Sequence, residues 1–466
     1  MHQQFDILVI GSGPGGKRAA IQAAKLGKRV AIIEGLKVIG GVTVHTGTIP
    51  SKTLREAVLY LTGWTQRGLY GHSYRLKTHL TIDDLMQRLE ITIRNEVTVI
   101  EHQLARNGVT TIHGWASFVD ANTVEVATPE GDFFKYTAER IVIAVGTAPL
   151  RPKTIPFDDE TIIDSDGILK LKKIPRSLTI VGAGVIGVEY ASIFSAMDVH
   201  VNIVDGRPNM LEFLDKEIVD ELAYGLRHRA VTLRLGETVA EVKKTADGDV
   251  EVTLESGKII KSNLVMYAAG RMGCTEGLKL ENAGLSADNR GRIKVDANFA
   301  TEVPHIYAVG DVVGFPSLAS TSMEQGRVAA CHAFGKPASA VPNHFPFGIY
   351  SIPEISMVGS TEQELTAANI PYEVGIARFR ETARGQILRL EDGLLKLLFG
   401  LKDRKLLGVH IIGEAGTELI HIGQAVLVMG GTLEYFVNTV FNYPTLAETY
   451  KIAALDAYNK MPQDVD

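Results

Sequence analysis

The chain of 466 residues holds two cysteines, Cys274 and Cys331, with no Cys-x-x-Cys and no metal-ligand cluster around them. Such scarcity excludes a disulfide-stapled scaffold and a thiolate metal centre, and it fits a reducing compartment. Long apolar runs are missing too: none approaches the roughly 20 residues that cross a bilayer. No excess of positive charge exists. Lys and Arg number 48 against 54 Asp and Glu, and the net charge of -6 argues against a nucleic-acid or polybasic membrane partner. There is no low-complexity tract and no charged tail. The opening "MHQQFDILVIG" enters a strand pattern at once, so a signal peptide is not expected and a soluble, cytoplasmic protein is. With 45% hydrophobic and 22% charged residues the composition is that of a globular protein. Its length calls for about two to four domains.

What is present is a duplication. "DILVIGSGPGGKRAAIQAAKLGKRVAIIEG" returns in outline as "LTIVGAGVIGVEYASIFSAMDVHVNIVDG" from Leu178. Each copy reads as a β-branched strand, Gly-x-Gly-x-x-Gly, a helical pattern, a second apolar strand and an acid. Gly11, Gly13, Gly16 and Glu34 match Gly182, Gly184, Gly187 and Asp205 at constant offset. A lone glycine triplet is a weak sign. One that follows a strand, opens a helix and meets an acid at this distance reads as a dinucleotide-binding unit. The first glycine permits the tight turn, the second lets backbone approach a pyrophosphate, and the third lets helix and strand pack closely. The helix N-terminus offers N–H groups and partial positive charge to the phosphates. Glu34 and Asp205 suit ribose hydroxyls, and two such units imply two dinucleotides.

Between the copies lies a helix-like stretch, from about Ser51 to Asn107, followed by short strands up to "RIVIAVGTAPLRP", where Pro149 and Pro152 mark a domain boundary. After the second copy, "NLVMYAAGR" reads as a strand ending in glycine. "HIYAVGDVVGFPSLASTSMEQGRVAA" then reads as strand, Gly310-Asp311, loop and helix. From about Pro342, strand signals such as "GLLKLLFG" and "LLGVHIIG" alternate with helical patterns.

These motifs together resemble the flavin-dependent pyridine nucleotide–disulfide oxidoreductases, the group holding glutathione reductase and dihydrolipoyl dehydrogenase, over nearly the whole chain. The resemblance implies an α/β fold of two Rossmann-like dinucleotide-binding domains plus a C-terminal α+β dimerisation domain. Residues 1–150 would begin the FAD domain, 151–268 bind NAD(P), 269–340 return to the FAD domain, and 341–466 form the interface. FAD would meet Gly11, Gly13, Gly16, Glu34, Gly41, Val42, Thr43, Lys52, Ala116, Thr147, Gly310, Asp311 and Ala319. NAD(H) and NADP(H), as substrates, would meet Gly182, Gly184, Gly187, Asp205, Arg207 and Gly270. The resemblance further implies a homodimer or larger homo-oligomer.

One stretch departs from that pattern. "GGVTVHTGTIPSK", Gly40 to Lys52, has the frame of a redox-active disulfide, yet Thr43 and Thr48 stand where sulfur belongs. A hydroxyl forms no disulfide and supplies no thiolate. The resemblance also implies a partner-subunit histidine in His-Pro-x-x-x-Glu, and here "YPTLAE" puts Tyr443 before Pro444 and Glu448. Sulfur and its acid–base partner are lost together, so the disulfide half-reaction is gone. "TGTIPSK", "GIYSIPEIS", "IPYEVG", "HIGQAV" and "FNYPTLAETYKIAAL" resemble the soluble pyridine nucleotide transhydrogenases within this family. That likeness implies hydride exchange between NADPH and NAD⁺ through FAD; a quinone-reducing diaphorase is the alternative, and a non-catalytic nucleotide-binding subunit a third.

The likeness implies that Lys52 places its ammonium beside the flavin, where negative charge develops, with Glu189 as its paired acid. Thr48 is expected to pack at the flavin and cap its helix through its hydroxyl. Asp205 suits a free 2′-hydroxyl and Arg207 a 2′-phosphate, so the "VDGRPN" segment tolerates both nucleotides. Tyr443 is expected near the partner's flavin face, and His421 in interface packing.

Overall fold

The alternation in "DILVIG" sends successive residues to opposite faces of a strand, and here both faces are apolar, the signature of a buried parallel sheet. In a computed structural model, which describes residues 3–71 and 73–461, that strand runs Gln3–Ile10 at the heart of a seven-stranded sheet. It pairs in parallel with Val30–Glu34 on one side and Phe133–Ile143 on the other. Thr110–His113 extends the sheet beyond Val30–Glu34, and Ile306–Ala308 joins Phe133–Ile143 in parallel. The antiparallel strands Thr123–Ala127 and Trp115–Phe118 continue it at the far edge. Ile7 and Val9 pack on one face with Ala19 and Ala20 of the Pro14–Lys25 helix and Ala329 and Ala330 of the Ala319–Ala333 helix. Leu8 and Ile10 face the other side with Phe118, Leu278 and Leu280.

The chain divides into two units. The first comprises Met1–Thr53, Met86–Leu150 and Gly270–Pro342; the second comprises Leu54–Leu85, Arg151–Ala269 and Asn343–Asp466. Where the chain leaves the first unit and returns, its two ends are stitched together. Thr147–Pro149 pairs antiparallel with Arg271–Gly273, and the Leu150 amide donates to the Gly270 carbonyl at 3.0 Å.

The second unit repeats the parallel arrangement. Its five strands run in the order Thr232–Leu235, His200–Asp205, Ser177–Val181, Leu264–Tyr267, Ile162–Asp164. A small antiparallel sheet, Val239–Lys244, Val250–Leu254 and Ile259–Ser262, packs beside it through Val242, Val250 and Val252. The C-terminal part is a five-stranded antiparallel sheet, Phe347–Ile349, Ile355–Gly359, Leu406–Ile412, Leu394–Gly400 and Tyr372–Arg378 in spatial order. The helices Gly416–Val428 and Glu448–Lys460 pack their apolar side chains onto it. The fold is the expected mixed α/β one. No helix among the described residues is long and apolar enough to cross a membrane.

A buried ion cluster ties the second unit together. Lys396, fully buried on the Leu394–Gly400 strand, binds Asp215 at 2.8 Å, Glu217 at 3.0 Å and Glu362. Asp215 caps the Lys216–His228 helix by accepting the Glu217 amide, so one ammonium holds that helix start to the antiparallel sheet. The three carboxylates converge closely, but the Lys396 ammonium already supplies the cation among them. Burial opposes its charge, yet the hydrogen bonds to Asp215 and Glu362 hold its pKa above the ordinary lysine value. Asp215 is 1% exposed, so removing its cation strands a buried negative charge. Lys396→Met is therefore expected to lower the unfolding free energy by about 3–5 kcal/mol, read by urea denaturation; a change within about 0.5 kcal/mol would show that the cluster does not hold the unit.

Candidate functional site

The first glycine loop is built by exclusion. Gly11 has φ +103°, and a Cβ there would lie 2.3 Å from the Ala144 carbonyl oxygen. A Cβ on Gly16 would stand 1.9 Å from the Gly11 oxygen. Both glycines are therefore required by backbone meeting backbone. Gly13 differs: nothing lies within 4 Å of a Cβ placed on it, and it opens the Pro14–Lys25 helix without a side-chain cap. The protein leaves that space and those N–H groups for something else.

The strand-end acid closes the loop. The Glu34 carboxylate is 6% exposed and accepts the Ser12 amide at 3.1 Å, the Ser12 hydroxyl, and the Leu36 amide at 2.9 Å. Ser12 in turn accepts the Gly40 amide at 2.7 Å, which draws the 40–41 turn inward. There Gly41, at φ +61°, would put a Cβ 2.9 Å from the Gly13 Cα, which explains the paired glycines. Val42 and Thr43 follow in the short Gly41–His45 helix. Ala116 lies on the Trp115–Phe118 strand, and the neighbouring Trp115 ring packs against Gly35, just beyond Glu34.

Thr147, Gly310, Asp311 and Ala319 belong to the same unit, and Gly310 lies beside the first loop: a Cβ on Gly15 would stand 3.7 Å from the Gly310 amide nitrogen. The Thr147 hydroxyl donates to Asp311 at 3.3 Å and accepts from Arg271 Nε at 2.7 Å, while Arg271 Nη2 reaches the Thr147 carbonyl at 2.7 Å. Gly310, at φ +84°, donates its amide to the buried Gln325 side chain at 2.7 Å. Ala319 starts the Ala319–Ala333 helix, which crosses the Pro14–Lys25 helix so closely that a Cβ on Gly326 would lie 2.1 Å from the Gly15 oxygen. Ser12, Arg271 and Gln325 escape a motif reading because their work is to hold other site residues. Gly270 also belongs to this unit, at φ +128° beside Leu150.

The second loop repeats the first. Gly182 has φ +116° with a Cβ position 2.7 Å from the Ala268 oxygen, and Gly187 has one 1.9 Å from the Gly182 oxygen. Gly184, like Gly13, faces open space at the start of its helix, Val185–Ala196. The Ala183 amide donates to Asp205 at 2.6 Å, as Ser12 does to Glu34. Asp205 also binds Arg207, from its amide at 2.9 Å, Nε at 3.0 Å and Nη2 at 2.8 Å. Burial raises the cost of charge on Asp205, but these donors hold its carboxyl below the ordinary range.

The segment that departs from the disulfide pattern forms two helices. Thr48 begins the Thr48–Leu61 helix and is exposed, with Lys52 one turn on along the same side. Lys52 Nζ lies 3.3 Å from the Ser51 hydroxyl. The helix is not capped by Thr48 as expected. The Gly47 carbonyl accepts the Ser51 amide at 3.1 Å, so Gly47 is the N-cap and the turn starts one residue earlier. Glu189 is 3% exposed in the second unit and accepts the Tyr350 amide at 2.9 Å. Cys331 is buried in the Ala319–Ala333 helix, and Cys274 is exposed just past the Arg271–Gly273 strand. Neither stands in the helices that carry Thr43 and Thr48.

Tyr443 is 73% exposed, and Glu448 begins the final long helix. The Glu448 Oε2 is buried without a hydrogen-bond partner among the described residues. A carboxylate oxygen left so is costly. It marks the place of a donor that no described residue supplies. His421 is exposed, its Nδ1 2.8 Å from Gln424.

Both glycine loops fit a dinucleotide: each pairs an empty approach at the second glycine with an uncapped helix start and a fixed acid. The pyridine nucleotide–disulphide oxidoreductase family model matches residues 5–326, and that family's dimerisation domain matches residues 345–454. A soluble pyridine nucleotide transhydrogenase from Mycobacterium tuberculosis is 56% identical over 460 residues, covering 98% of each chain. One from Vibrio cholerae is 46% identical over 461 residues at the same coverage. Among solved structures, LpdA from Mycobacterium tuberculosis superposes with TM-score 0.89 at 24% identity, over 97% of this chain and 99% of that one. The HOCl-induced flavoprotein disulfide reductase RclA from Escherichia coli gives 0.87 at 26% identity, with the same coverage.

The two kinds of glycine are separable by experiment. Gly13→Ala is expected to leave the unfolding free energy within about 1 kcal/mol while the purified protein loses its bound dinucleotide. Gly16→Ala, whose Cβ meets backbone, is expected to cost about 1–3 kcal/mol or more. Equal stability loss in both variants would remove the distinction.

Proposed function

The chain belongs to the pyridine nucleotide–disulphide oxidoreductase family, and from that premise we propose that it catalyses NADPH + NAD⁺ ⇌ NADP⁺ + NADH with FAD as its resident cofactor. One observation carries this reading. Both nucleotide cradles are intact, whereas the disulfide relay is absent: threonines hold both its places, and the Glu448 carboxylate lacks the imidazole partner. A bound flavin supplies reversible hydride exchange with a nicotinamide. The residues of the chain do the rest.

In the first unit the Gly13 approach and the Pro14–Lys25 helix start would receive the pyrophosphate of FAD, Glu34 the adenosine ribose, and Asp311, steadied by Thr147, a ribityl hydroxyl. Lys52 supplies a positive charge where negative charge grows as hydride arrives. The second unit holds one Gly-x-Gly-x-x-Gly triplet with one acid at the end of the next strand, so NAD(H) and NADP(H) use it in turn. Asp205 accepts from the 2′-hydroxyl of the former, and Arg207 pairs with the 2′-phosphate of the latter. With no cysteine pair in the chain to take electrons from a bound flavin, the nicotinamide pocket would serve both for the arrival and for the departure of hydride. The two couples have nearly equal potentials, so concentrations set the direction. A quinone-reducing activity is not favoured by the relatives. The matched dimerisation domain, together with exposed apolar side chains such as Met429 and Val440, supports self-association as a homodimer or larger homo-oligomer.

Anaerobic mixing tests the reaction. The flavin-loaded protein, bleached by NADPH and then given NAD⁺, is expected to yield oxidised flavin and NADH together; bleaching without NADH formation would sink transhydrogenation. Arg207→Ala is expected to raise the KM for NADPH about tenfold, with a much smaller change for NADH. Equal loss for both nucleotides would remove Arg207 from phosphate recognition.

A further inference from the structure

We propose that Asp205 and Arg207 form a closed chelate that both nucleotides must open, one from each side, so that each residue recognises one nucleotide and competes against the other. This inference rests on the reading that NAD(H) and NADP(H) share the second unit.

Every acceptor position of Asp205 is taken. Its Oδ1 receives the Arg207 amide at 2.9 Å and Nε at 3.0 Å; its Oδ2 receives the Ala183 amide at 2.6 Å and Arg207 Nη2 at 2.8 Å. A carboxylate offers about four lone-pair sites. A ribose 2′-hydroxyl therefore binds Asp205 only when the guanidinium lets go. The engaged Nε–Nη2 edge is also the fork that grips a phosphate bidentately. A 2′-phosphate gripped by that edge therefore binds Arg207 only when the carboxylate lets go.

The backbone around the pair is pinned, so the exchange is a side-chain motion. The Gly236 amide donates to the Arg207 carbonyl at 2.9 Å, and the Glu237 amide to the Asp205 carbonyl at 3.1 Å. The Asp205 side chain is 10% exposed and the Arg207 side chain 50%, so the guanidinium is the part that swings. Glu212 adds a second negative charge near it. A half-exposed pair favours its closed form over the open one by a ratio of about one to four. Each nucleotide's apparent affinity then falls about two- to fivefold, because only the open fraction is competent. In an enzyme that must empty one pocket twice per cycle, the chelate displaces product as it re-forms.

The test is the crossed pattern in two variants, read as equilibrium binding of NADP⁺ and of NAD⁺ to the oxidised holoenzyme by calorimetry. Asp205→Asn keeps an acceptor for the Ala183 amide but releases the guanidinium; it is expected to tighten NADP⁺ about two- to fivefold while weakening NAD⁺. Arg207→Ala is expected to weaken NADP⁺ and tighten NAD⁺ by a similar factor. If either variant fails to tighten the opposite nucleotide, the chelate is overturned, while direct recognition and transhydrogenation stand. Unfolding midpoints equal to that of the parent protein identify the changes as local. Failure of the anaerobic exchange would overturn the function itself, whatever the binding pattern.

Discussion

A strand that turns directly into a helix, with the helix start pressed against the strand end, leaves no room for a side chain at the contact. Gly16 against the Gly11 oxygen and Gly187 against the Gly182 oxygen, each 1.9 Å from a hypothetical Cβ, express this constraint twice. The rest of each cradle follows from it. Held that close, the helix presents its N-terminal N–H groups over the sheet edge, where a second glycine keeps the approach open. The acid on the next strand then reaches the amide between the first two glycines, at 3.1 Å in one unit and 2.6 Å in the other.

Electrostatics divides the two cradles despite their common frame. Glu34 is buried and bonded by Ser12 and Leu36, so its orientation is settled by its own unit. Asp205 is bonded to a half-exposed arginine two residues away and keeps a movable counter-charge. The first arrangement suits a cofactor that stays. The second suits substrates that come and go, and the difference lies in a few atoms beyond the shared geometry.

The absent sulfur is visible as a structural residue of the chemistry that the family also performs. Thr48 and Tyr443 are exposed in the single chain, and Glu448 keeps a buried oxygen with no hydrogen-bond partner among the described residues.

Local spacing made the two glycine triplets, their acids, the α/β alternation and the missing cysteine pair legible in the chain. Each of these depends on short-range backbone geometry or on the identity of a single atom. Groupings that depend on residues far apart in sequence were not legible. Arg271 bridges to Thr147 across 124 positions, and Lys396 gathers Asp215 across 181. Residues 54–85 group with 151–269 and 343–466, a division no composition shift announces. Even the start of the Thr48–Leu61 helix was not legible: its first intrahelical bond runs from the Ser51 amide to the Gly47 carbonyl, one residue before the threonine expected to cap it. The amino-acid sequence by itself determined that there are two dinucleotide cradles and that threonines stand where a relay disulfide would need cysteines, since glycine's missing Cβ and threonine's missing sulfur are properties of the residues themselves. Tertiary structure alone decided which charges are held and which are free to move, because burial and hydrogen-bond partners exist only once distant segments have met.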